Sequence, residues 1–128
     1  CHYNSMNVLS MHALIGAYRQ EGWEWVKELC QVLTENVAYA YRYIREHFPE
    51  ISVAKPQGTY MLLLDCTKWC EIHGKTIDDV QRAGVEVGVI WQDGRAFYSP
   101  CGIRMNLALP RSLVEEAMRR LKEYVFLP

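Results

Sequence analysis

Gly94-Arg95-Ala96-Phe97-Tyr98-Ser99-Pro100-Cys101-Gly102-Ile103-Arg104-Met105-Asn106-Leu107-Ala108-Leu109-Pro110-Arg111 is the stretch on which the reading of this chain turns. Asp93-Gly94 opens it as a turn, and Pro100 and Gly102 interrupt it again. From Ile103 to Leu109 a period of two sets Ile103, Met105, Leu107 and Leu109 on one face and Arg104, Asn106 and Ala108 on the other. This predicts a strand whose apolar face packs on helices and whose opposite face holds a fixed cation beside an amide. Pro110 closes the strand. Ser112 with Glu115 three places on predicts a capping box and a terminal helix from Ser112 to about Phe126, burying Leu113, Ala117, Leu121 and Tyr124.

Spacing alone leaves two roles open for Arg104. It is either a sheet arginine that pairs with a surface carboxylate or reaches out to water, or a receptor for a carboxylate ligand. A guanidinium is planar, permanently charged and matched to a carboxylate by two parallel hydrogen bonds. Asn106, next but one on the same face, would share the ligand or brace the arginine.

The 128 residues provide for one domain with one sizeable core, and half of them are hydrophobic. A net charge of −1 gives no footprint for nucleic acid or an anionic membrane surface. No apolar run reaches the length of a membrane span, and no signal-peptide pattern opens the chain. Five cysteines, at 1, 30, 66, 70 and 101, form no regular framework and read as reduced thiols of a cytoplasmic protein. Cys66, Cys70 and His73 lack a fourth ligand, with Cys101 in a separate context, so no metal site is expected. The chain opens on Cys1 without an initiator methionine, which reads as a trimmed protein or a fragment.

A first helix is expected from Ser5 to Gln20, capped by Ser5 or Asn7, with a break at Gly22. A second, long helix carries Trp25, Val26, Leu29, Leu33, Val37, Tyr41, Ile44 and Phe48 on one face and ends before Pro49. At 1.5 Å per residue it spans roughly 35–39 Å, long enough to reach a second domain or a partner. Residues 51–55 and 59–65 predict a hairpin about Pro56-Gln57-Gly58, its second strand central or covered on both faces. Thr76 caps a short helix that ends near Gly84, and residues 85–92 predict another strand. The fold class is therefore α/β (α+β): a small mixed or antiparallel sheet covered by helices.

Several of these segments resemble one family. Gly94-x-x-Phe97, then Gly102-Ile103-Arg104-Met105-Asn106-Leu107-Ala108-Leu109-Pro110-Arg111, then Glu115-Glu116-Ala117 and Arg120-Leu121, is similar to the end of the small domain of fold-type I, pyridoxal-phosphate-dependent class I/II aminotransferases. Asn7, Ala13, Ala17-Tyr18, Gly22, Trp25, Leu29, Leu33 and Asn36 resemble the segment after the cofactor lysine in the cystathionine β-lyase and C–S lyase branch. Pro56-x-Gly58-Thr59-Tyr60 and its apolar strand add a third match.

The resemblance implies that Arg104 holds the α-carboxylate of an amino-acid substrate, with Asn106 beside it and Gly58 and Tyr60 near the substrate entrance. It implies pyridoxal 5'-phosphate as the cofactor of the full-length enzyme, which would be a homodimer acting as an aminotransferase or C–S lyase. It divides the chain into a helical segment, residues 1–48, linking to a large domain, and a small C-terminal α/β domain, residues 49–128. The lysines at 27, 55, 68, 75 and 122 stand in none of the settings the family uses for the Schiff base, so this chain alone is expected to be inactive. The rival reading is a stand-alone α/β module that binds a carboxylate metabolite through Arg104 and Asn106 without reaction.

Overall fold

In the computed structural model, which describes residues 7–127, the chain divides into two compact units that meet in sequence between Val32 and Leu33. The first unit contains α1 (Val8–Ala17) and the opening of α2 (Gln20–His47). The Asn7 side chain caps α1 by accepting the Ser10 N–H at 2.8 Å; Ser5, the other expected cap, lies outside the described residues. Gly22 does not break the chain as expected. It sits in the first turn of α2, where a Cβ would run into the carbonyl of Ala17, so it permits a close approach rather than a stop. No residue of α1 is buried, and Leu9, Ile15, Trp23 and Trp25 are all more than half exposed. At 28 residues α2 is about 42 Å long, slightly longer than the spacing predicts because it starts at Gln20. None of the described helices is long and apolar enough to cross a membrane.

The second unit is built on a four-stranded antiparallel sheet in the order β1-β2-β4-β3: β1 (Ser52–Val53), β2 (Met61–Asp65), β3 (Gln92–Asp93) and β4 (Gly102–Asn106). The register pairs Leu62 with Met105 and Leu64 with Ile103 on one face, and Leu63 with Arg104 and Met61 with Asn106 on the other. The first set is buried and joins Ile44 of α2 and the helix α5 (Arg111–Arg120) in one core. The second set is open: Leu63 is 44% exposed. β2 is thus central, as its sequence predicts, but it is not covered on both faces by the described residues.

Two short helices complete the unit, α3 (Thr67–His73) and α4 (Ile77–Glu86). Thr76 caps α4 in a full capping box: its hydroxyl accepts the Asp79 N–H and the Asp79 carboxylate accepts the Thr76 N–H. Of the expected strand over 85–92 only Gln92 pairs in the sheet; the chain before it is helix to Glu86, then a turn and an irregular segment. Gly84 is buried inside α4, where a Cβ would come within 2.6 Å of the Trp91 ring, so this glycine serves helix packing. The helix runs on to Glu86, and Gly88, at φ +75°, makes the turn.

The terminal helix also differs from its prediction. α5 starts one residue early at Arg111, behind Pro110, so Ser112 falls inside the first turn and caps nothing. Glu115 pairs with Arg111 instead, 2.7 Å from its Nε. The buried face is Val114, Met118, Leu121 and Val125; Leu113 and Tyr124 are exposed. A wide turn of π geometry over Leu121–Val125 ends the helix and delivers Phe126 between Phe48, Trp69 and Trp91.

Among the described residues of this unit, one polar residue is buried as a whole. Asn36 of α2 is 1% exposed, and its Nδ2 donates to the carbonyl oxygens of Leu107 at 3.0 Å and Leu109 at 2.8 Å. The chain leaves the sheet at Asn106, so these carbonyls have no strand to accept from. Asn36→Ala would leave the buried Leu107 carbonyl unsatisfied and is expected to cost about 1–3 kcal/mol of stability, read from the denaturant midpoint at constant slope.

Candidate functional site

The open face of the sheet centres on Arg104. β4 carries it between Leu63 of β2 and Gln92 of β3, its two register partners, and it is half-buried. No carboxylate among the described residues lies within ion-pairing distance of it. Its guanidinium carbon instead lies over the ring of Phe97, 4.3 Å from the centroid. A ring engages the face of a guanidinium, while the N–H donors lie in its plane. Among the described residues no oxygen acceptor or carboxylate takes its N–H groups, and the ring offers none.

The loop that delivers Phe97 is fixed by several devices. It begins with a tight turn of 3₁₀ geometry, Gly94–Phe97, and Asp93 caps this turn by accepting the Arg95 N–H at 2.8 Å. Arg95 closes it from outside: its Nη2 lies 2.6 Å from Asp93 and 2.7 Å from Asp78 at the start of α4. That guanidinium holds the Asp93 carboxyl below the usual carboxylate range. Gly94 and Gly102 abut where the loop returns, and a Cβ on Gly94 would meet the Gly102 backbone. Ser99 N–H donates to the Gly94 carbonyl at 3.0 Å, and Tyr98 takes the left-handed conformation at φ 58°.

The other expected site residues are dispersed. Asn106 lies on the Arg104 face, but its Oδ1 accepts the Ala108 N–H at 2.8 Å, so it shapes the exit of the strand rather than bracing the arginine. Gly58 lies before β2 with open space where a Cβ would be; the positive φ of this turn falls on Thr59, at 70°. Tyr60 is 39% exposed, and its carbonyl accepts the Leu107 N–H at 2.9 Å. None of the contacts among the described residues joins Gly58 or Tyr60 to Arg104. The role of Phe97 is not visible in spacing; its signal was an aromatic and an arginine on the two sides of a glycine-closed loop. All five lysines are exposed.

The cysteines converge more than their spacing implies. Cys66 N–H donates to the Cys101 carbonyl at 2.9 Å, so Cys101 does not stand in a separate context. Among the described residues no group of three or more His, Cys, Asp or Glu side chains is arranged to hold a metal ion. Burial raises the Cys66 thiol, and burial with the Cys101 contact pushes Cys70 up to about 12 from an ordinary 9.0. Because the folded values are raised, the folded state keeps protons that the unfolded state releases. The stability they contribute is full below about pH 9 and is lost as pH rises towards 12. Alkylation of the native protein at pH 8 is expected to mark exposed Cys30 while sparing Cys66 and Cys70, as read by mass mapping, with unfolding needed to expose the pair.

No family model matches the chain. It is 30% identical to protein MalY of Escherichia coli (strain K12), in a match that covers 92% of this chain and 30% of MalY. A PLP-bound protein of Clostridium difficile 630, assigned as an aminotransferase, superposes with a TM-score of 0.79 at 32% identity, over 91% of this chain and 30% of that one. The PLP-bound C–S lyase of Staphylococcus hominis has the same fold, with a TM-score of 0.81 at 22% identity, over 94% and 32%. The chain thus spans about a third of the length of the proteins it matches.

Proposed function

The chain belongs to the pyridoxal-phosphate-dependent aminotransferase and C–S lyase family, and on that premise we propose that Arg104 binds the α-carboxylate of the full-length enzyme's amino-acid substrate. The observation that carries this reading is a half-buried guanidinium on an open sheet face, held over an aromatic ring with its donor edge unclaimed by any described carboxylate. Such a group binds a carboxylate with two charge-assisted hydrogen bonds and fixes its orientation, which is the positioning contribution this region makes to catalysis. Asn106 borders the same face and offers its amide N–H groups. Gly58 and Tyr60 lie towards the entrance.

Pyridoxal phosphate is the cofactor of the family, but the residues present here do not fit its attachment. A Schiff-base lysine is activated by desolvation or by a neighbouring cation. Lys27, Lys55, Lys68, Lys75 and Lys122 are all exposed. Cofactor attachment therefore falls to a large domain outside these 128 residues, linked through the helical segment that opens the chain; the expected boundary at residue 48 moves to residue 32, because Asn36, Ile44 and Phe48 pack into the small unit. The exposed apolar side chains of α1 and early α2, Leu9, Ile15 and Trp25 among them, support burial against that domain and a second copy of the enzyme.

Two outcomes test this. Arg104→Lys in the full-length enzyme should lower kcat/KM for its amino-acid substrate by roughly ten- to several-hundred-fold, because a point charge replaces a bidentate fork; an unchanged value would make Arg104 a structural residue. The 128-residue chain supplied with pyridoxal phosphate should turn over no amino acid.

A further inference from the structure

We propose that Phe97 is the positioning residue of Arg104: its ring fixes the guanidinium in the orientation that receives a carboxylate. This rests on the reading of Arg104 as the carboxylate site and adds to it a residue that sets the geometry of that site.

A free arginine side chain has many rotamers, and ordering it on binding costs affinity. Arg104 has a partner that removes this freedom without competing for its donors, since the Phe97 ring lies 4.3 Å from the guanidinium carbon and has no acceptor oxygen. A carboxylate in that place would hold the arginine equally well but would occupy the fork that the ligand needs. The ring can act so only if its own position is fixed. The Asp78–Arg95–Asp93 ion pairs, the abutting Gly94 and Gly102, and the Ser99–Gly94 hydrogen bond fix the loop relative to β4. Phe97 is itself 40% exposed, so the core gains little from it and its substitution is tolerated by the fold.

The test uses the full-length holoenzyme and two probes, L-alanine and L-alaninamide, with binding measured by calorimetry and thermal midpoints recorded alongside. Phe97→Leu should weaken L-alanine about twofold to thirtyfold, the range of a cation–π contact from exposed to desolvated. It should leave L-alaninamide, which lacks the carboxylate, unchanged. Phe97→Tyr, which keeps the ring, should bind L-alanine within about twofold of the parent. Equal weakening of both probes, or equal loss with Leu and Tyr, would overturn the proposal, since the ring would then act other than through Arg104. Arg104→Lys measured in parallel separates the two ideas. If it weakens L-alanine while Phe97→Leu does not, Phe97 has no positioning role and the carboxylate site stands. If Arg104→Lys leaves L-alanine unchanged, the carboxylate site itself falls and the proposal with it.

Discussion

The hydrogen bonds from the Asn36 amide to the carbonyls of Leu107 and Leu109 are the constraint on which the small unit depends. β4 ends after Asn106 so that the chain can turn into α5, and beyond that point the carbonyls of the buried Leu107 and the more exposed Leu109 have no neighbouring strand to accept from. The Leu107 N–H finds the Tyr60 carbonyl, but the oxygens on either side of Ala108 need donors from elsewhere. A side-chain amide has two N–H groups on a short stem, and from the middle of α2 it reaches both. The same contact locks the long helix to the strand that carries Arg104.

From that anchor the geometry follows by register. With Leu62 opposite Met105 and Leu64 opposite Ile103 on the packed face, alternation leaves Leu63 opposite Arg104 and Met61 opposite Asn106 on the open one. A slip of one residue would bury the guanidinium and expose Ile103 and Met105. The hydrophobic face thus specifies the functional face, and no separate device is needed to aim Arg104 outward.

Much of this was legible in the chain because it depends on local period and chemistry. The alternation from Ile103 to Leu107, the Thr76 cap and the central place of β2 all follow from residues close in sequence. What was not legible depends on neighbours. Gly84 looks like a helix end and is a packing site, because the deciding atom belongs to Trp91. On the terminal helix Leu121 is buried and Ala117 packs on the core as their spacing predicts, whereas Leu113 and Tyr124 are exposed and Val114, Met118 and Val125 take the core side. Every residue of α1 is exposed although the helix is rich in apolar side chains, since composition does not record what covers a helix. For the site, Arg104 was legible as a cation on a strand, whereas its ring partner was not, because Phe97 meets it only after the loop has closed.

The contrast between Arg95 and Arg104 shows why the partner of an arginine decides its use. Both lie in the same eighteen-residue stretch and both are fixed, but by opposite means. Arg95 is held by two carboxylates, Asp93 and Asp78, which raise its already high pKa and occupy its donors. An incoming carboxylate would have to displace one of them and leave it unpaired. Arg104 is held by a ring that accepts none of its N–H groups, so a carboxylate adds to its contacts without breaking any. Both side chains carry the same permanent charge. The difference lies in what each partner accepts: the carboxylates take the N–H donors of Arg95 and fasten a loop, while a ring without an acceptor oxygen leaves those of Arg104 for a ligand.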